Sequence, residues 1–262
     1  MNIVVCVKQV PDTNNVKVDP NTGALIREGV SSKLNPYDLF ALETAFTIKE
    51  KVKGNITTIS MGPPQASASL LETLAMGADK AILLSDRKFA GSDVYATSYA
   101  IASGIKKIAN YDLIICGKQT TDGDTAQVGP EIAETLGIEH ISNVLSIDEI
   151  NPNDIVLTFS LDNYISKIKV KLPCLITMDK NVNTPRLPSL IRMNKFSIKD
   201  IIAYTANDLT PIDETRLGLK GSPTQVERIF SPSKNMNKKL FEGDKVTLSN
   251  QIVDILKKDK LI

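Results

Sequence analysis

The sequence is poor in the residues from which many catalytic centres are built. It has one histidine, His140, and three cysteines, Cys6, Cys116 and Cys174, at no metal-ligand spacing. A zinc site or a Ser/His/Asp triad has little material here, and no metal is expected. No apolar run reaches the length that spans a bilayer, so membrane insertion is not expected. The formal net charge is +1, from 31 basic and 30 acidic residues, which is unlike the basic footprint of a nucleic-acid binder. No Gly-x-Gly-x-x-Gly follows the first apolar run and no Walker A sequence occurs. An ordinary Rossmann dinucleotide domain and a P-loop NTPase are thereby disfavoured. Cys6 and Cys116 lie inside apolar runs and read as small buried hydrophobes in a reducing, cytoplasmic compartment.

What is present suits a folded globular chain. Hydrophobic residues make up 42% and charged residues 23% of 262 residues. That length supports a normal core in one large domain with an extension. Met1 to Val10 is apolar but carries Lys8 and lacks a small-residue cleavage site. Asn2 to Val10 therefore reads as a buried first strand, not a signal peptide. A polar loop, Pro11 to Lys33, follows, with turn signals at Asp19-Pro20 and Thr22-Gly23.

Asn35-Pro36-Tyr37-Asp38 reads as a helix start. Asn35 can cap, Pro36 suits the first helical position, and Asp38 favours the positive end. Leu39, Leu42 and Phe46 then make one apolar face. Strands are predicted at Asn55 to Met61, Ala81 to Ser85 and Asp112 to Cys116. Helices are predicted at Gln65 to Met76, Ser92 to Asn110 and Ala126 to Leu136. This alternation predicts a mostly parallel sheet, doubly wound by helices on both faces.

After His140 the pattern changes. Asp154 to Ser160 and Ser166 to Lys171 read as a hairpin, and Cys174 to Met178 as a short strand. The nucleotide-binding α/β domain is placed at 1–180. Residues 181–262, broken by Pro185, Pro188, Pro211, Pro223 and Pro232, read as an extended arm. It ends in a helix, Thr247 to Leu256, whose apolar face is expected to pack on another chain.

In open α/β sheets, ligands sit at the carboxyl ends of strands, where the strand order reverses. The strongest candidate loop there is Gly117 to Pro130. Gly123, Thr125 and Ala126 let backbone approach a ligand beside a helix N-terminus, which suits phosphate. Asp124 can cap the helix, with Gln127 completing a box-like arrangement, or it can face inward and repel phosphate. Pro130 either begins the regular helix or kinks one that starts at Asp124. A capped turn without ligand is the plainer alternative. Lys8 and Lys118 read as phosphate or flavin-edge contacts or as solvated charges.

Five segments in this order resemble the beta subunit of electron-transfer flavoproteins. They are Val7 to Thr13, Asn35 to Asp38, Ala75 to Asp79, Gly117 to Pro130, and Asn183 to Leu190. The resemblance implies an adenine-nucleotide hydrolase-like fold and a heterodimer with an alpha subunit that carries FAD. It also implies a nucleotide pocket of Cys6, Val7, Lys8, Asn35, Pro36, Tyr37, Asp38, Met61, Asp122, Gly123, Asp124, Thr125, Ala126, Gln127, Val128, Gly129 and Ala133. Leu190 becomes the apolar anchor that docks on an acyl-CoA dehydrogenase or related flavoenzyme. Ile191-Arg192 departs from the Pro that often follows in relatives.

The small residues of 122–130 resemble the electron-bifurcating branch of anaerobes. There the pocket holds FAD, NADH is the donor, and ferredoxin or flavodoxin is the low-potential acceptor. No side-chain nucleophile or general acid is then expected, because the flavin carries the chemistry. The alternatives are a housekeeping subunit holding AMP and a homo-oligomeric nucleotide-binding stress or signalling protein.

Overall fold

Five short apolar segments, each flanked by a helix or a turn, build the centre of the sheet. The computed structural model describes residues 1–12, 31–209, 211–227 and 240–262. Strand β1 (Asn2–Cys6) lies between β4 (Asn55–Met61) and β6 (Leu113–Gly117), parallel to both. Flanked on both edges and covered on both faces, β1 buries Ile3 to Cys6 almost completely, as its run of β-branched residues requires. β5 (Lys80–Leu84) extends the sheet beyond β4, and β10 (Cys174–Met178) extends it beyond β6, both parallel. The chain thus leaves β1 in one direction and returns to its other side at β6, which makes a switch point between their carboxyl ends.

Helices cover both faces. The core under α1 (Pro36–Val52) and α2 (Ser67–Met76) holds Leu42, Phe46, Leu70 and Leu74. The opposite core, under α3 (Val94–Ile108) and α4 (Val128–Leu136), holds Ile101, Ile105 and Ile132. Each start has a local cause. Pro36 stands at the start of α1, and the Asp93 carboxylate accepts from the Ala96 amide to cap α3. Gly137, at φ 70°, closes α4. This is the α/β, mostly parallel, doubly wound architecture expected of the adenine-nucleotide hydrolase-like fold.

Several sequence expectations are corrected. The first strand does not run to Val10. It ends at Cys6, and β2 (Gln9–Pro11) pairs antiparallel with β3 (Ser32–Leu34) in a separate two-stranded sheet. The cause is at Lys8, whose amide donates to Asp38 Oδ2 at 2.8 Å and whose carbonyl accepts from Asn35. The helix expected from Gln65 begins with a 3-10 turn, Pro64–Ala66, before α2.

A long strand, β7 (Glu139–Ile150), has no counterpart in the sequence reading. It pairs parallel to β10 and antiparallel to β8 (Asp154–Leu161), with register shifts against each. Those irregularities blur the alternation a strand would show. β8 and β9 (Tyr164–Lys171) form the expected hairpin. The turn signals at 19–20 and 22–23 lie outside the described residues, as do Thr13 and Pro232.

Beyond residue 181 the chain includes a short helix, α5 (Leu190–Lys195), and then rejoins the sheet. β11 (Ile201–Tyr204) pairs parallel with β5 at the outer edge. The sheet therefore continues past residue 180. The final helix, α6 (Lys245–Lys258), has no buried residue. Among the described residues, no helix is long and apolar enough to cross a membrane.

Candidate functional site

Three loops meet at the switch point, and one buried side-chain pair ties them together. Asp38, in the first turn of α1, is 4% exposed. Its Oδ2 accepts the Lys8 amide at 2.8 Å and its Oδ1 accepts Asn35 Nδ2 at 2.9 Å. The Gly117 amide also points at this carboxyl. Asn35 Nδ2 reaches the Gln119 carbonyl at 2.9 Å as well, and its Oδ1 accepts the Thr121 amide at 3.2 Å. Asn35 therefore does not cap α1 with its side chain. It bridges the loop after β1 to the loop after β6.

Burial pushes the Asp38 carboxyl up to about 7, against the opposing hydrogen bonds from Asn35, Lys8 and Gly117. Gly117 must lack a side chain, since a Cβ there would collide with Asp38 Oδ1 and stand 2.8 Å from the Tyr37 backbone carbon. Gly117 and Gln119 belong to the candidate loop, but the sequence did not single them out as members of this knot.

The charged groups around the knot are paired. Lys8 Nζ contacts both Asp122 oxygens at 2.8 Å. Partial burial raises the Asp122 carboxyl, but Lys8 and the Thr120 hydroxyl outweigh it and leave it below the usual carboxylate range. Lys118 Nζ lies 3.1 Å from Asp179. Lys8 is thus not an isolated cation at the mouth of the site.

Residues 121–127 are exposed throughout, with left-handed backbone at Asp124 (φ 54°) and Ala126 (φ 56°). Asp124 accepts Gln119 Nε2 at 2.6 Å and does not cap α4, whose N-cap residue is Gln127. The regular helix begins at Val128. Pro130 falls in its first turn, where no backward hydrogen bond is needed. The first bond of α4 runs from the Glu131 amide to the Gln127 carbonyl. The Val128 and Gly129 amides precede it and have no helical acceptor. Gly129 is packed so tightly that a Cβ would stand 2.7 Å from Thr177 Cγ2.

An outward-turned backbone loop feeding a helix N-terminus, with Tyr37 and Met61 half-buried at the same strand ends, is a donor set that fits the phosphates of a nucleotide. Cys6 and Val7 are buried at the end of β1 beneath it, Cys6 paired in register with Cys116. Contact with Cys6 and burial push the Cys116 thiol up, and burial lifts Cys174 to about 12, so neither is an activated thiol. Ala133 is fully buried in the apolar core beneath α4. Leu190 lies far along the chain, at the start of α5, 76% exposed. A cleft of about 290 Å³ at the opposite, amino ends of the strands, lined by Asn2, Asn55 and Asn110, shares no residue with the knot.

The family model of the electron transfer flavoprotein domain matches residues 22–208. The chain is 49% identical over 245 residues to the electron transfer flavoprotein subunit beta of Thermoanaerobacterium thermosaccharolyticum, covering 93% of each chain. It is 49% identical over 228 residues to the protein of the same name from Clostridium acetobutylicum, covering 87% of each. It is 44% identical over 264 residues, the full length of both chains, to the caffeyl-CoA reductase-Etf complex subunit CarD of Acetobacterium woodii. On this match over most of its length, the chain belongs to the electron transfer flavoproteins, as a beta subunit.

Proposed function

We propose that this chain holds FAD at the switch point and acts in a heterodimer with an alpha subunit carrying a second FAD. The observation that carries this reading is the exposed backbone loop 122–128 running into α4, tied to the β1 loop through Asn35 and Asp38. The loop amides hold the diphosphate. Tyr37 and Met61 flank the nucleotide, while Lys8 and Asp122 close the edge nearest the first strand.

Bound there, the flavin would supply two-electron oxidation of NADH and division of the electrons between a low-potential acceptor, ferredoxin or flavodoxin, and the alpha-subunit FAD. From the alpha subunit they pass to an acyl-CoA dehydrogenase or related flavoenzyme, which docks over Leu190. Full-length similarity to a subunit of a caffeyl-CoA reductase-Etf complex supports a CoA-ester-linked partner. The exposed apolar residues of α6 pack on the alpha subunit, and the three free thiols suit the cytoplasm.

A second reading is a subunit holding structural AMP. The same phosphate loop accommodates it, so the loop alone does not choose. Flavin and AMP content of the purified heterodimer does. Two FAD per heterodimer, bleached by anaerobic NADH, is the expected result. One FAD with one AMP, unreactive to NADH, overturns the FAD assignment.

A further inference from the structure

Three large apolar side chains stand almost free on one short strap. Leu187, Leu190 and Ile191 are 88%, 76% and 83% exposed. A slack loop would fold such groups against the nearest apolar surface. This strap is held away from that outcome at both ends, by two arginines that grip different helices.

At the first end, Arg186 grips α1. Its Nε and one terminal nitrogen contact the Glu43 carboxylate at 2.9 and 2.8 Å, and the other reaches Glu50 at 2.8 Å. The Arg186 amide donates to Glu43 Oε2 at 3.0 Å, and the guanidinium lies 4.8 Å over the Phe46 ring. Just upstream, Asn183 Nδ2 donates to the Phe40 carbonyl and to Thr44 Oγ1.

At the second end, Arg192 closes α2. Its Nε donates to the Leu74 carbonyl at 2.8 Å and a terminal nitrogen to the Ala78 carbonyl at 2.7 Å. These carbonyls lie at the negative end of the helix, where a cation is favoured. The Ser189 amide adds a bond to the Ala75 carbonyl.

We propose that Arg186 and Arg192 are positioning residues for partner docking. They pin residues 187–191, a loop and the first residues of α5, across α1 and α2 and present the three apolar side chains already ordered. Binding then need not order the loop. The inference rests on the reading of Leu190 as the docking anchor for an acyl-CoA dehydrogenase.

The test uses the intact heterodimer and a purified acyl-CoA dehydrogenase as electron acceptor. Arg192→Gln should speed hydrogen exchange of the Ser189 and Met193 amides, which are bonded to the Ala75 and Ser189 carbonyls. It should raise KM for the dehydrogenase about tenfold, with kcat unmoved, because loop ordering is shifted to the binding step. Arg192→Lys should restore only part, since an ammonium cannot reproduce the planar fork. Arg186→Gln, which releases the contact with α1, should act in the same direction and serves if Arg192→Gln fails to fold. If exchange and KM stay unchanged while Leu190→Ala raises KM, the clamp is refuted and the docking reading stands. If Leu190→Ala leaves KM unchanged, both fall.

Discussion

Gly117 and Asp38 are fitted to each other: the hydrogen of one and the carboxyl of the other share space that no Cβ can enter. Gly117→Ala should therefore displace α1 from the end of β6. Overpacking of this kind costs about 1–3 kcal/mol. Denaturant unfolding should show that loss, accompanied by release of nucleotide. Wild-type stability with full nucleotide occupancy would show that the contact relaxes freely.

Asp38 also makes stability depend on pH. Its folded pKa, about 7, lies above the ordinary carboxylate value. Between those two values the folded state keeps a proton that the unfolded state has lost. Stability from this group is thus fully present below the ordinary carboxylate pKa and is lost as pH rises through about 7. The whole effect is on the order of 2–4 kcal/mol. Asp38→Asn should flatten the melting temperature between pH 5 and 8, to be read with overlapping buffers at about constant ionic strength. Identical slopes in variant and wild type would assign the dependence elsewhere.

The Lys8–Asp122 pair, 2.8 Å long and partly exposed, should matter little to folding, within about 1 kcal/mol. Its effect on a bound flavin should be larger and signed. Lys8→Ala leaves Asp122 unopposed and should lower the two-electron potential. Asp122→Asn leaves Lys8 unopposed and should raise it. A shift of about 30 mV each way corresponds to about 1.4 kcal/mol. Potentials unmoved by both changes, measured by anaerobic redox titration, would place the pair away from the flavin.

Helix α6 buries no residue, yet Val246, Ile252 and Val253 are apolar and exposed on it. Removing residues 245–262 should leave the melting temperature of the isolated chain within about 2 °C, as expected for a segment outside its cooperative core. The same truncation should weaken association with the alpha subunit by at least about tenfold in Kd, or about 1.4 kcal/mol. Analytical ultracentrifugation separates the two effects. Unchanged heterodimer affinity would show that the helix serves something else.

Much of this was legible in one dimension because the signals were local. Val and Ile runs between helical patterns marked β1, β4, β5, β6 and β10, since strands buried on both faces must be apolar throughout. Gly137 and Pro36 marked helix ends through backbone geometry that belongs to a single residue. The resemblance of Gly117 to Pro130 pointed to the loop that Asn35 ties to the end of β1. β7 escaped because its register shifts break the alternation by which a half-buried strand is recognised.

What only the tertiary structure decided is how distant groups share one space. Asn35 looked like a helix cap and is a bridge between two loops. Asp38 looked like a charge on a helix start and is a buried acid, because Lys8 and Gly117 close over it. Arg192 looked like a departure from a motif and is the clasp on α2. The sequence determined which segments become strands and helices, since burial and backbone preference act residue by residue. The fold decided which polar groups lose water and which partners replace it, and that depends on contacts between residues up to 143 positions apart.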